Sequence, residues 1–442
     1  MSMDGAESPT DHSDATQPGD RPRDFRALVG AQLLGAFNDN LFKQLLLLMA
    51  ALTLFPGQDK QGLAFAVFAL PFIIFSGMAG DLSERFSKRS IIWRMKLAEI
   101  VVMGLGLWAL QIQSWAFLLG VLFLMGLQSA FFGPSKYGVI PELVGPSKLV
   151  RANGTIAMTT FMGVLFGQAL AGPLLDNFGD TLWIVGLVCV AFAIVGTVFA
   201  AFMRPLAAQK PELAVSSNPF GNLFQTIGKL RAKKGLFSIV LLYSFFWFNG
   251  GIVQQAITGL GEAGYLNIQP GEATEISYLL VFLAVSIIVG SLVAPAMAKR
   301  FPLGRLVTAG AILMVVSQMS LLLIGTVVSR EGGALWLAKA SMVGIGFFGA
   351  FFVVPIQSYL QDAPPAGMRG QTFAVNNFMN FIFIFLGGVW YMIFRGGLIP
   401  GVHLSAAVTQ ALAGGLLLAY LALQWRYVKD MRIDADPVES DA

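Results

Sequence analysis

Apolar residues run along this chain in blocks of roughly twenty, separated by short polar connections. Such blocks match the hydrocarbon thickness of a bilayer, about 30 Å, at the rise of an α-helix. Only helices and closed barrels satisfy every backbone group in lipid, and the ~10-residue alternating segments of a barrel are absent. Twelve membrane helices are predicted, near 25–55, 62–79, 91–111, 115–132, 149–175, 181–203, 237–260, 275–297, 305–327, 334–356, 371–394 and 403–424. The fold class expected is therefore all-α integral membrane. Residues 1–24 and 425–442 are expected to be polar tails, the first disordered because it holds no apolar core. The first tail is no signal peptide, since the run after Arg21, Arg23 and Arg26 is far too long. The longest break, 204–236, separates 25–203 from 237–424, six predicted helices on each side. It ends in Lys229-Leu230-Arg231-Ala232-Lys233-Lys234, which reads either as an amphipathic helix on anionic lipid or as a charged connector.

One block is interrupted at its centre. Gly35-Ala36-Phe37-Asn38-Asp39-Asn40-Leu41-Phe42-Lys43-Gln44 crowds an acid, a base and three amides into a segment that should face lipid. A charge at mid-membrane costs roughly 2.5–3.5 kcal/mol on insertion scales, so such residues face protein or a water-filled path. Asp39 and Lys43 are four apart and share a helix face. They either meet a charged ligand or neutralise each other. Asn38 and Asn40 flank the acid and point to different faces.

Composition narrows the function classes. The 442 residues are 56% hydrophobic and 12% charged, against about 25% charged in soluble domains. Most basic residues fall in short connections, so the formal charge of +4 calls for no nucleic-acid partner. Two histidines and the lone Cys189 build neither a metal site nor a disulfide, and no nucleophile–base constellation appears. No cofactor and no enzyme activity are expected. Arg85, Lys88, Arg89, Lys136, Lys148, Arg151, the 204–234 stretch, Lys299, Arg300, Arg305, Arg369 and both termini form one basic set of connections, which places both ends in the cytoplasm.

The halves resemble each other. Phe37-Asn38-Asp39-Asn40 is echoed by Phe248-Asn249-Gly250-Gly251, which sets Lys43-Gln44 against Gln254-Gln255. Arg151-Ala152-Asn153-Gly154 is echoed loosely by Ala374-Val375-Asn376-Asn377. Parallel six-helix repeats mark transporters whose site lies between the halves near mid-membrane. The amides Asn153, Gln168, Asn249, Gln254, Asn376, Asn377 and Asn380 either bond helix to helix or converge on such a cavity.

Gly80-Asp81-Leu82-Ser83-Glu84-Arg85-Phe86-Ser87-Lys88-Arg89 resembles the loop signature of the major facilitator superfamily. Gly80, Leu82, Arg85, Lys88 and Arg89 fit it, while Glu84 stands for its aspartate and Ser87 for a glycine. The resemblance implies a two-lobed, twelve-helix fold with a gate built from Gly80, Glu84, Arg85, Lys88 and Arg89; plain positive anchoring also accounts for Lys88 and Arg89. Gly133-Pro134-Ser135-Lys136-Tyr137-Gly138-Val139-Ile140-Pro141-Glu142-Leu143, with Leu149 to Gly154, Phe37 to Asn40 and Lys96-Leu97-Ala98-Glu99-Ile100, is similar to the lysophospholipid transporter family of that superfamily. The forms fused to an acyltransferase and acyl-carrier-protein ligase look closest. The likeness is dense through about residue 175 and thin after about 240.

It implies alternating-access movement of lysophospholipid, of the lysophosphatidylethanolamine type, across a bacterial inner membrane for reacylation by a separate ligase, by a monomer among membrane lipids. Asp39 would meet the headgroup amine and Lys43 the phosphate, beside Asn38, Asn40 and Gln44. Asn249, Gln254 and Gln255 would form a neutral wall opposite. Lys136 and Arg151, read as lying at the cytoplasmic ends of spans four and five, would take the phosphate on release or hold resident anionic lipid. Glu99 reads as a cavity acid or as a partner of Lys96 or Arg94. The runs Phe347-Phe348 and Phe381 to Phe385 are candidates for an acyl-chain slot. A general carrier of another small amphiphile, possibly ion-coupled, is the competing expectation.

Overall fold

The computed structural model describes residues 21–55, 59–144, 148–208, 211–212, 220, 223–233, 235–261, 266–268, 271–324, 327–328, 333–364 and 369–431. The described residues form the α-helices α1 (Pro22–Leu52), α2 (Gln61–Arg85), α3 (Lys88–Ile112), α4 (Trp115–Leu143), α5 (Leu149–Phe178) and α6 (Trp183–Ala201), then the short α7 (Leu223–Ala232), then α8 (Leu236–Gly259), α9 (Ala273–Ala298), α10 (Leu303–Met319), α11 (Gly333–Asp362), α12 (Arg369–Phe394), α13 (Ala406–Leu423) and α14 (Trp425–Val428). Among the described residues, eleven helices are long and apolar enough to cross a membrane. The twelfth, α1, has 31 residues and falls short on composition because of the Asn38–Gln44 polar run.

Local chemistry sets the boundaries. Ser87 caps α3 by accepting the Ser90 N–H, and Ser405 caps α13 by accepting that of Val408. Pro134 and Pro141 stay inside α4, which runs to Leu143 instead of stopping near 132; neighbouring helices re-satisfy the freed carbonyls in such bundles. Lys136 therefore lies well inside α4, a correction to its expected place at the helix end. The first tail also shrinks. Asp24 is buried in α1, and its carboxylate accepts the Arg204 backbone N–H at 3.2 Å and the Arg204 guanidinium at 3.1 Å. Residues 1–20 and 432–442 of the expected tails, and Lys234 of the basic stretch, lie outside the described residues. Lys229 to Ala232 of that stretch are the end of α7, which buries Thr226 and Leu230 against α8 and α12 and leaves Phe224 exposed. A helix is realised, with its buried face on α8 and α12.

Helix α1 packs on α5 and α6, α2 on α4, and α3 on α4 and α6; α8 packs on α12 and α13, α9 on α11, and α10 on α11 and α13. The two groups meet along α2–α12 and α5–α9. On the face away from α7 this seam is tight. A Cβ on Gly62 would stand 2.5 Å from the Gly388 carbonyl oxygen, and one on Gly172 would stand 2.4 Å from that of Ala273. Asp176 of α5 caps α9 across the seam, accepting the N–H of Ala273 and of Thr274, each at 2.8 Å. Phe72 stacks on Phe381 at 3.9 Å about halfway along. Toward α7 the seam parts: Gly80, Gly133 and Gly154 have open space at their Cβ positions, and Arg151 and Asn153 are exposed.

One test follows from this geometry. In Gly62→Val the nearest obstructing atom is the backbone carbonyl oxygen of Gly388, with the Met392 nitrogen also in the way, so the closed face accommodates the side chain only by separating. Overpacking of this kind costs about 1–3 kcal/mol. Spin labels on either side of the seam are expected to report a longer distance on that face; an unchanged distance would refute the contact.

Candidate functional site

Successive residues of a helix point about 100° apart, and the polar stretch of α1 divides accordingly. Asn38 faces the interior of the first six helices, donating to the Cys189 carbonyl at 3.0 Å and to Glu99 Oε1 at 3.2 Å. Glu99 also binds Lys96, and Lys96 and Glu99 are each 1% exposed. These residues form a buried cluster in which the Lys96-partner reading of Glu99 is the one realised, while Asn38 is corrected from a headgroup contact to a core residue. Asn40 turns back on its own helix and donates to the Ala36 carbonyl at 2.8 Å.

Asp39 faces α4. Its Oδ2 accepts from the Ser129 hydroxyl at 2.6 Å, while Oδ1 is buried with no partner. Lys43 faces α2, with its ammonium 5.4 Å from the Phe65 ring centre and 5.2 Å from that of Phe68. Among the described residues Lys43 makes no ion pair, so the self-neutralising Asp39–Lys43 bridge does not form. Lys136, buried in α4, lies over Tyr137 at 4.5 Å and Phe132 at 5.9 Å, again without a carboxylate partner. Asp39 is within electrostatic reach of both lysines. Cation–π contacts hold an ammonium loosely, roughly 0.5–2 kcal/mol each, and leave its hydrogen-bond donors unspent. The result is one half-engaged carboxylate on α1 and, among the described residues, two buried ammonium groups, Lys43 and Lys136, without a carboxylate partner.

The second group of helices supplies less than expected. Gln254 donates to Gln44 Oε1 at 3.0 Å, so the two groups of helices meet here, though the repeat sets Gln254 against Lys43 and Gln44 against Gln255. Asn249 instead accepts from Gln318 of α10 at 3.2 Å within its own group. Gln255 turns onto the Gly251 carbonyl at 3.1 Å. The expected three-residue amide wall is thus reduced to Gln254. Asn376 is buried with an unpartnered Oδ1, Asn377 is exposed, and Asn380 accepts from Ser244 at 3.0 Å. Gln168 is half-buried, while Arg151 and Asn153 lie at the exposed start of α5. The phenylalanine runs do not make one slot: Phe347 and Phe348 cluster with Phe351 in α11, Phe381 lies at the seam, and Phe383 packs into the core with Phe245.

The loop residues read as a gate bind mainly within their own group. Lys88 pairs with Glu142 at 2.8 Å, and Arg89 donates to the Met203 carbonyl at 2.9 Å at the end of α6. Arg85 lies over Phe86 at 5.5 Å. Gly80 and Glu84 sit at the end of α2, where the seam is open.

Two features escaped the sequence. Ser129 is one hydroxyl in an apolar run, with nothing local to connect it to Asp39. The second is a lock on the closed face: Arg395 Nε meets Asp59 Oδ2 at 2.9 Å, with the side chains 2% and 0% exposed. Gln61 donates its backbone N–H and its side-chain amide to the same carboxylate, each at 3.1 Å. Burial pushes the Asp59 carboxyl above the usual carboxylate range, and the Arg395 charge and the Gln61 donation pull it back down.

Residues 28–388 match the Major Facilitator Superfamily. The chain is 30% identical over 367 residues to the "Lysophospholipid transporter LplT" of Escherichia coli O1:K1 / APEC, covering 80% of this chain and 84% of that one. It is 29% identical, with the same coverage, to the protein of that name from Shigella boydii serotype 4 (strain Sb227). Among solved structures, a mutant of the nucleoside transporter NupG superposes with a TM-score of 0.68 at 12% identity, over 92% of this chain and 98% of that chain. The POT family transporter PepTSo superposes with a TM-score of 0.69 at 13% identity, over 94% and 99%. At such identities the superpositions establish the fold alone, and the sequence matches supply the branch: the chain belongs to the lysophospholipid transporter LplT family of the Major Facilitator Superfamily.

Proposed function

We propose that this protein moves lysophospholipid across a bacterial inner membrane by alternating access, with Asp39, Lys43 and Lys136 as the headgroup contacts. The observation behind this reading is the half-engaged Asp39 in a group of helices that also buries Lys43 and Lys136, neither paired with a carboxylate among the described residues. A zwitterionic phosphoethanolamine presents one cation and one anion a few ångströms apart. Asp39 suits the amine, and the ammonium groups suit the phosphate. The relatives' printed name supports the lipid class.

Residues 25–203 and 237–424 act as two lobes, joined by 204–236, that rock about the Gln44–Gln254 contact. The open face, which carries α7 and both described ends of the chain, is cytoplasmic on the balance of Lys and Arg in the loops. Gly80, Glu84, Arg85, Lys88 and Arg89 then lie at the face that must close when the lock opens. A monomer suffices for this cycle, and reacylation falls to a separate acyltransferase/acyl-carrier-protein ligase.

Proteoliposomes with fluorescent lysophosphatidylethanolamine in one leaflet test the reading. Protein-dependent transfer to the other leaflet is expected, with no transfer of labelled diacyl lipid. Absence of lysolipid transfer, together with thermal stabilisation by drugs or sugars in a solute panel, would overturn it in favour of a carrier of other amphiphiles.

A further inference from the structure

A second polar site lies on the flank of the molecule, away from the seam. At the α7 face, the start of α1 and the end of α6 border an open groove of about 680 Å³ lined by Arg23, Arg26, Arg204, Asp24, Phe199 and Phe202, among others. Its charges are unbalanced. Asp24 is buried and taken by Arg204, whereas Arg23 and Arg26 are exposed and, among the described residues, make no ion pair. The Arg204 side chain is itself 59% exposed, leaving much of its guanidinium toward the groove. Arginine is the side chain whose planar fork matches phosphate oxygens in pairs.

The apolar side of the groove is continuous with lipid. Phe199 lies against α1 at Gly30, where a Cβ would come within 2.8 Å of its ring. Phe202 is 71% exposed, and Ile194, Val195 and Val198 continue an exposed ridge up α6 at helical spacing. A phosphate bound beside the arginines would thus have an apolar track of several turns leading from it into the bilayer. This head-and-track shape fits a lipid better than a free anion.

We infer that this flank binds a resident anionic diacyl phospholipid, its phosphate between Arg23, Arg26 and Arg204 and a chain along Ile194, Val198 and Phe202. The site does not depend on the identity of the transported substrate. Its occupant ties the start of α1, the helix that presents Asp39, to the end of α6. The charge pattern and the α6 ridge together carry this.

The test uses the full chain in nanodiscs of phosphatidylcholine with increasing phosphatidylglycerol, read by native mass spectrometry and by thermal midpoint. Retained phosphatidylglycerol and a raised midpoint are expected for the unaltered protein. Arg23→Gln/Arg26→Gln is expected to bind it at least tenfold more weakly, since each basic residue near an anionic headgroup contributes about 1 kcal/mol. Mass spectrometry counts lipid on folded protein alone, so a change in basal stability does not confuse the result. Phe202→Ala is expected to weaken phosphatidylglycerol retention while the arginines are intact. Equal retention in the arginine variant, equal stabilisation by phosphatidylcholine, or a full midpoint shift from inorganic phosphate alone would each overturn the inference.

Discussion

Asp39→Ala is expected to lower lysophosphatidylethanolamine transfer by roughly a hundredfold while leaving the protein folded. Oδ2 of Asp39 holds one hydroxyl, Ser129, and Oδ1 holds nothing, so little of the fold rests on the carboxylate. Its value lies in what arrives. Truncating one member of a buried charge pair costs about 2–5 kcal/mol, and each 1.4 kcal/mol is about tenfold. Two comparisons separate recognition from support. Asp39→Asn keeps the shape and the Ser129 contact but loses the charge, and is expected to be nearly as impaired as Asp39→Ala. Lysophosphatidylglycerol, whose headgroup has the phosphate without the amine, is expected to be spared by Asp39→Asn and to be lost with Lys43→Ala or Lys136→Ala. Equal losses of both lipids in Asp39→Asn would make Asp39 a structural residue and remove the headgroup assignment.

Asp59→Ala is expected to open the closed face. The substitution leaves the Arg395 guanidinium buried without its carboxylate, and breaking a buried pair in this way costs about 3–5 kcal/mol. That is a large part of the about 5.5 kcal/mol that turns a 99:1 population into 1:99. Arg395→Ala is expected to cost less, for a reason of chemistry. Arginine cannot shed its proton, whereas burial already pushes the Asp59 carboxyl upward, with Arg395 among the groups restraining it. Without Arg395 the carboxyl takes up a proton more readily in the closed state than in the open, hydrated one. The closed population of Arg395→Ala is therefore expected to grow as pH falls through that raised value, and to shrink as pH rises. Asp59→Ala has no such group and is expected to stay open across the range. The double variant should lie nearer to the unaltered protein than Asp59→Ala alone. Distances between spin labels at Lys60 and Leu398 read all three. A closed Asp59→Ala would show that the steric seam at Gly62 and Gly172 holds this face without the ion pair.

Some features were legible because they are local or repetitive. Runs of roughly twenty apolar residues must be helices in lipid, so element type and order could be read directly. The loop Gly80 to Arg89 and the stretch Gly133 to Gly154 identify the family, since their spacing is contiguous in the chain. Asp39 and Lys43 stood out because a charge in an apolar run is costly anywhere it occurs. Boundaries were less legible where proline misleads: α4 continues through Pro134 and Pro141, which moved Lys136 from a helix end into the interior.

Direction was not legible. A helix tells which residues share a face but not what that face meets, and one turn separates a ligand contact from a core residue. Asn38 and Asp39 are adjacent, yet one joins Glu99 and Lys96 in a buried cluster while the other turns to Ser129 of α4. Asn249 and Gln255 match the repeat as well as Gln254 does, and turn inward to Gln318 and Gly251. The sequence by itself determined a twelve-helix carrier with a charged centre in its first helix, because hydrophobic length and the cost of buried charge are properties of short segments. Only the tertiary structure decided which of those polar groups remain unspent, and that Asp59 and Arg395 lock one face. Pairing between residues hundreds of positions apart depends on how helices pack, and no single segment encodes that.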